Sequence, residues 1–290
     1  MLNALSVDVE DYYQVSAFET AVRFEDWGRH ESRVEKNTCR VLDLLDEYHA
    51  KATFFVLGWV AERNPTLVRI ISKRGHEVAS HGYSHQLIYT QTPEEFREET
   101  RRAKKIVEDI IGGPIIGYRA ASYSITTESL WALDVLAEEG FEYDSSIFPI
   151  RHDRYGIPGH ERFHHVLYGK GHLAIAEVPL STLRIAGLNL PVAGGGYLRL
   201  LPYALTHLAL LYLNRQEGQP AVVYFHPWEI DPEQPRIKAG WLSRFRHYTN
   251  LGRMEGKLRK LLTNFSFAPI REVYAGSLSV PAPTLKSDAA

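Results

Sequence analysis

Ala52-Thr-Phe-Phe-Val-Leu57 and Glu77-Val-Ala-Ser80 bracket the stretch Trp59 to Lys73, and this sandwich decides the fold class. The two outer runs are short, apolar and rich in β-formers, the mark of strands buried on both faces. The stretch between them carries apolar residues at helical spacing and predicts a helix. Strand, helix and strand in such quick succession form a βαβ unit with parallel strands.

The rhythm extends in both directions. Upstream, Leu5 to Val9 reads as a strand. Ser32 to Tyr48 reads as an amphipathic helix with Val34, Val41, Leu42, Leu44 and Leu45 on one side. Downstream, Thr92-Pro93-Glu94-Glu95 is a helix start, with an N-cap threonine, proline at the first helical position and acids in the first turn. That helix should end at Gly112-Gly113. Ile115 to Arg119 predicts a strand, Thr127 to Glu139 a helix and Phe141 to Asp144 another strand. The rhythm breaks over 147–171, which reads as an inserted loop. It resumes with strands at Leu173 to Pro179, Leu188 to Pro191 and Ala221 to Phe225, helices at Leu205 to Asn214 and Arg246 to Leu262, and a closing strand at Phe267 to Val273. Gly194-Gly195-Gly196 reads as a tight turn. The sequence thus predicts a single α/β domain over 1–276 and a disordered tail over 277–290.

At 290 residues the chain has the size of one α/β barrel with room for an insertion. Lys and Arg number 33 against 35 Asp and Glu, so there is no basic excess to neutralise phosphates, and nucleic acid is not the expected partner. The single cysteine, Cys39, excludes a disulfide framework and zinc sites built from several thiolates. The strand-like run Asn3 to Asp8 opens the chain without a basic and apolar leader. The most apolar stretch, Leu205 to Leu213, is short and holds His207. A cytoplasmic protein without a transmembrane segment is therefore expected.

The polar residues fall at strand ends. Asp8, Glu10 and Asp11 end the first strand, His81 and His85 follow the third, Arg119 and Asp144 end the next two, and His226 ends the run Ala221 to Phe225. In a parallel barrel the C-terminal strand ends meet at one mouth, where active sites are built. On one helical turn, His81 and His85 would present both imidazoles to the same side, which suits a divalent metal. Two histidines and one carboxylate leave coordination positions open for water and substrate. The acids 8, 10 and 11 offer one carboxylate for the metal and one to activate water, and Arg119 could hold the latter ionised and oriented. His226 is placed to act as general acid. His160, His164 and His165, in the inserted loop, are expected to be solvated and non-catalytic. Tyr123, Tyr197, Trp228 and Phe148 are candidates for stacking on a sugar ring, and Asp144 for a further substrate contact.

Four segments together resemble the NodB-homology polysaccharide deacetylases, carbohydrate esterase family 4. They are Ser6-Val-Asp-Val-Glu-Asp11, Ser80-His-Gly-Tyr-Ser-His85, Tyr118-Arg-Ala-Ala-Ser-Tyr123 and Tyr224-Phe-His-Pro-Trp228. Val192-Ala-Gly-Gly-Gly-Tyr-Leu-Arg199 and Phe225-His-Pro-Trp-Glu-Ile-Asp-Pro-Glu-Gln-Pro235 are similar to the subfamily of exosortase-linked exopolysaccharide loci. The resemblance implies a distorted (β/α) barrel of seven strands and removal of N-acetyl groups from an amino-sugar polysaccharide or its lipid-linked precursor. It further implies one divalent metal ion, zinc, held by His81, His85 and either Glu10 or Asp11. Asp8 would then be the base, Arg119 its partner and His226 the acid. Hydrolysis of another small amide is an alternative, and so is a catalytically silent carbohydrate-binding protein on the same scaffold.

Overall fold

The computed structural model describes residues 1–168 and 174–278. Its first half alternates strands and helices. These are β1 (Leu2–Val9), α1 (Val34–Glu47), β2 (Thr53–Val56), α2 (Gly58–Arg63), α3 (Pro65–Lys73), β3 (Glu77–Ser80), α4 (Pro93–Ile111), β4 (Gly117–Tyr118), α5 (Trp131–Glu138) and β5 (Tyr143–Asp144). The second half adds β6 (His165–Tyr168), β7 (Ala174–Glu177), a hairpin of β8 (Thr182–Ile185) and β9 (Leu188–Pro191), α6 (Gly195–Leu200), α7 (Tyr203–Arg215) and β10 (Val222–Phe225). It ends with α8 (Trp241–Tyr248), α9 (Leu251–Asn264), β11 (Ser266–Ala268) and α10 (Ile270–Val273).

Seven strands run parallel in the order β10-β1-β2-β3-β4-β5-β7, with β6 antiparallel on the β7 edge and β11 beside the start of β1. This is the expected α/β architecture, a curled parallel sheet of the (β/α) barrel type. Between β7 and β10 short contacts replace a ladder. The Tyr224 N–H donates to the Ala193 carbonyl at 2.9 Å, and Val222 N–H donates to the Ser181 hydroxyl at 2.7 Å. β2, β3 and β10 are buried along their whole length, as strands covered on both faces must be.

Local chemistry explains the element ends. The Thr92 hydroxyl accepts from Glu95 N–H while the Glu95 carboxylate accepts from Thr92 N–H, a reciprocal cap that starts α4 where the sequence predicts it. Gly112, at φ 72°, ends it in the left-handed conformation.

Several expectations need correction. The single helix over Trp59 to Lys73 is two, because Pro65 has no N–H to continue the first and holds Asn64 out of the helical region. Arg246 to Leu262 is likewise split between α8 and α9, with Asn250 left-handed at φ 59° between them. The closing strand over Phe267 to Val273 stops at Ala268 and turns into α10. Gly194-Gly195-Gly196 enters a helix. A Cβ on Gly194 would lie 2.1 Å from the Tyr224 ring, so the glycine is there to let two backbones meet. The inserted loop 147–171 holds β6 near its end. The tail expected to be disordered falls largely outside the described residues, and within it Leu278 is buried.

Candidate active site

β1, β3, β4 and β10 deliver their C-terminal ends to one cavity of about 370 Å³, lined by Asp8, Glu10, His81, His85, Tyr123, Tyr197, His226, Trp228 and Glu229 among others. Register explains the convergence. Ser6 pairs with Thr53 and Tyr224, and Ser80 with Val56 and Tyr118, so the residues just beyond these strands lie at similar height.

Glu10, His81 and His85 each offer one ligand atom, all within 4.8 Å of one another. Glu10 Oε2 is buried, has no hydrogen-bond partner, and stands 3.0 Å from His85 Nε2. Two lone-pair atoms that close, walled off from water, suit a shared cation. His81 Nδ1 lies 2.8 Å from the Arg119 carbonyl; an Nδ1–H donated there leaves Nε2 free for a ligand bond. Burial pushes the His81 pKa down to about 4, so the ring is neutral and its lone pair available. Glu10 is also buried, but His85, His226 and His81 hold its carboxylate down at about 2. The donor set therefore fits a divalent metal.

The pair does not sit on a helical turn, as the spacing suggested. His81 and His85 lie on a loop whose Gly82 and His85 take left-handed backbone angles, φ 74° and 56°. That fold-back brings the two rings to 5.3 Å.

Between the two alternative carboxylates, Asp11 drops out. Its Oδ2 accepts from the Ser32 hydroxyl and the N–H groups of Arg33 and Val34, and its Oδ1 from Tyr12 N–H. Asp11 is occupied tying the N-terminus of α1 to the loop after β1.

Asp8 stands beside the metal-binding group. Arg119, fully buried, donates to Asp8 Oδ1 at 2.7 Å and to the Ser6 hydroxyl at 2.7 Å, and its guanidinium lies 4.1 Å over the Phe55 ring. Its remaining nitrogens donate to the carbonyl and hydroxyl of Ser145. Arg119 is thus clamped on several sides and fixes the Asp8 carboxylate in turn. The Tyr123 hydroxyl approaches Asp8 Oδ2 at 3.4 Å.

His226 faces the same point, with Nε2 at 3.5 Å from Glu10 and 3.9 Å from Asp8. Burial disfavours its charged form, but Glu10, Glu229 and Asp8 outweigh this and raise its pKa to about 9. Behind it stands a pair that the motif reading did not single out. Glu229 Oε2 is 3.5 Å from His226 Nδ1 and accepts from the His226 N–H, while its Oε1 accepts from Arg199 at 2.7 Å. Arg199 is itself bound to the carbonyls of Arg246, His247 and Thr249. Both residues occur in the quoted segments. An acid three residues after a histidine at a strand end was the available signal.

The substrate-contact candidates separate. Tyr123 and Tyr197 line the cavity. Trp228 also reaches it, but its ring is stacked between His226 and His247, and its N–H donates to Glu10 Oε1 at 3.1 Å. Neither face is open to a sugar, so the indole supports the histidine and the carboxylate instead. Phe148 is fully buried, stacked on Tyr155. Asp144 lies beneath the mouth, bonded to Ser146 and paired with the buried Glu177, and does not line the cavity. His160, His164 and His165 line none of the mouth. They are half-buried rather than solvated, with His164 stacked on Tyr274.

Comparison with known proteins matches the two halves of the chain separately. Residues 18–143 match the polysaccharide deacetylase family model, and residues 145–275 match a domain of unknown function, DUF3473. A peptidoglycan-N-acetylglucosamine deacetylase of Bacillus cereus is 37% identical over 79 residues, 27% of this chain and 37% of its own length. A chitooligosaccharide deacetylase of a Bradyrhizobium is 33% identical over 97 residues, 33% of this chain and 42% of its own. The chain thus spans well under half the length of these curated relatives. Among solved structures, a polysaccharide deacetylase from Mycobacterium smegmatis superposes with TM-score 0.61 at 20% identity, covering 97% of this chain and 94% of the other. Puue allantoinase superposes with TM-score 0.59 at 13% identity, covering 96% and 91%; both show a shared fold. Residues 18–143 are thus a polysaccharide deacetylase domain of the NodB, carbohydrate esterase family 4 type, followed over residues 145–275 by DUF3473.

Proposed function

We propose that the protein is a metal-dependent hydrolase that removes N-acetyl groups from an amino-sugar polysaccharide or its lipid-linked precursor during exopolysaccharide synthesis. The observation that carries this reading is the meeting of three functions at one cavity: a ligand set at Glu10, His81 and His85, a fixed carboxylate at Asp8, and a carboxylate-backed imidazole at His226. A binding module has no use for all three together. A divalent cation, zinc by its donor set of two imidazoles and a carboxylate, would supply Lewis acidity toward the acetamide oxygen and acidify a water.

The chain's own groups do the rest. Asp8, locked by Arg119, takes the proton of the water that attacks the carbonyl carbon. As the C–N bond breaks, His226 gives its Nε2 proton to the departing amine, leaving acetate and a free amino sugar. Glu229 accepts from the His226 backbone N–H and stands 3.5 Å from the opposite ring nitrogen, a charge placed to favour the imidazolium. Tyr123 and Tyr197 bound the space for the sugar. The lone cysteine, half-buried Cys39, supports action in the reducing cytoplasm.

Acetate release from N-acetylated amino-sugar oligomers, set beside a panel of small amides, tests the reading. Turnover of oligomers alone supports it, while turnover of the small amides alone favours the general amidase. Tight oligomer binding with no acetate from any substrate would leave the silent binding protein.

A further inference from the structure

The second half carries a surface with no role in this chemistry. Residues 234–248 hold four cations, Arg236, Lys238, Arg244 and Arg246, and no Asp or Glu, in a chain whose net charge is −2. Within this run α8 exposes Trp241 (78%), Leu242 (42%) and Phe245 (52%). With about 100° of turn per residue, Trp241, Phe245 and Leu242 lie side by side, and Arg244 and Arg246 flank them on either edge. The opposite side of the helix is held down by buried His247, stacked at 4.0 Å on Trp228 and packed on Phe18. Among the described residues the one ion pair these cations make within 4.0 Å is that of Arg246 with Asp153, at 3.7 Å. The flanking Arg246 also lines the catalytic cavity, so this face borders the mouth.

We propose that α8 and its lead-in form a docking face for an anionic lipid surface. An apolar arc bordered by arginines is the arrangement that seats in a bilayer interface, with the rings among the acyl chains and the guanidiniums at the headgroups. Lys238 and Arg236 extend the positive field toward anionic lipid. The acid-free cationic run selects an anionic surface, and the exposed tryptophan beside it selects a lipid interface over a purely ionic contact. Docking there would bring the mouth to the membrane surface, where a lipid-carried substrate would be presented. The inference goes beyond the deacetylase reading, and its primary readout, vesicle binding, needs no substrate.

The test mixes the full chain with vesicles of phosphatidylcholine alone or with phosphatidylglycerol, at low and at high salt. Sedimentation with the anionic vesicles only, weakened by salt, is expected, together with a blue shift of tryptophan emission. Trp27, Trp59 and Trp228 are already buried and Trp131 packs on Phe96, so that shift reports Trp241. The double variant Trp241→Ser/Phe245→Ser should lose about tenfold or more in partitioning, and Lys238→Glu/Arg244→Glu a similar factor. Both should keep the wild-type unfolding midpoint. A chain that stays in solution with anionic vesicles at low salt overturns the proposal. So does equal partitioning of the Trp241→Ser/Phe245→Ser variant. Binding to a soluble acidic polysaccharide with none to vesicles would assign the face to a polymer instead. Loss of vesicle binding with acetate release from soluble oligomers intact would separate this failure from failure of the deacetylase reading.

Discussion

The two halves of the molecule divide the chemistry unequally. Residues 1–144 supply the candidate ligand set, the Asp8 carboxylate and its clamp Arg119, Asp8 near the end of β1 and the others on loops that leave the parallel strands directly. Residues 145–278 supply His226 together with Glu229 and Arg199, which hold it. The second half also bears ten of the fifteen large apolar side chains exposed among the described residues, from Ile185 through Leu205 to Phe245. The proposed metal ligands and base need only short, stiff connections, because the strand register already sets their height. His226 also leaves its strand, β10, directly, but it is braced by residues brought from α6 and from the turn after β10. The second half thus builds an Arg-Glu-His chain of contacts to fix it. The first half is therefore the more constrained by its own sequence and the second by what it packs against.

The comparison breaks most easily at the first half. His81→Ala or His85→Ala should remove bound metal and reduce acetate release to background, whereas His226→Asn should leave metal content unchanged. Elemental analysis of all three beside wild type checks this, and equal metal throughout would end the assignment.

A smaller effect is expected at the carboxylate. Asp8→Asn keeps shape but has no basic oxygen, so acetate release should fall by about 10²–10⁴-fold with metal retained. Loss of metal in this variant would move Asp8 into the ligand set.

The second half is sharpened by Glu229→Gln. Glu229 is among the groups that raise the His226 pKa, so removing its charge lowers that pKa. If protonated His226 is required, the alkaline limb of the pH–rate profile moves to lower pH. Activity at neutral pH should drop about 10–100-fold, as for other partners that orient a site imidazole. An unmoved limb would detach Glu229 from the acid. Buried Arg199 loses its counter-charge in the same variant, so its unfolding midpoint should also fall.

The smallest effect concerns stability alone, at the seam between the halves. Burial raises the pKa of Asp144 to about 6, and burial beside Asp144 raises that of Glu177 well above the usual carboxylate range. Folded-state pKa values above the unfolded ones mean that the stabilisation is full below pH about 4 and is lost as pH rises from there through the folded-state values, about 6 for Asp144 and higher for Glu177. The unfolding free energy from denaturant titrations should therefore fall between pH 4 and pH 8, by on the order of 1–3 kcal/mol. Glu177→Gln should flatten that slope, and a slope unchanged in this variant would place the titration elsewhere.

Much of the site was legible because its members sit at strand ends and in short ordered motifs. Asp8, His81, His85, Arg119 and His226 could all be named before their distances were known. What escaped the reading depended on partners distant in the chain. Asp11 looked as good a ligand as Glu10 until the N–H groups of Arg33 and Val34 were seen to occupy it. Trp228 looked like a sugar platform until His226 and His247 covered its faces. Asp144 ended a strand like the others, yet its carboxylate turned toward Glu177. Helix ends followed the same division. The α4 caps are local and were read correctly, whereas the His81–His85 spacing suggested a helical turn that Gly82 and the left-handed His85 replace with a loop.

By itself, the sequence determined the parallel α/β class, the strand ends and the residue types brought to them, since periodicity, caps and prolines act over a few residues. Only the tertiary structure decided which carboxylate is free, which imidazole is braced and which aromatic face is open. Those depend on burial and on hydrogen bonds between residues as far apart as Glu10 and Trp228, and spacing along the chain carries no record of them.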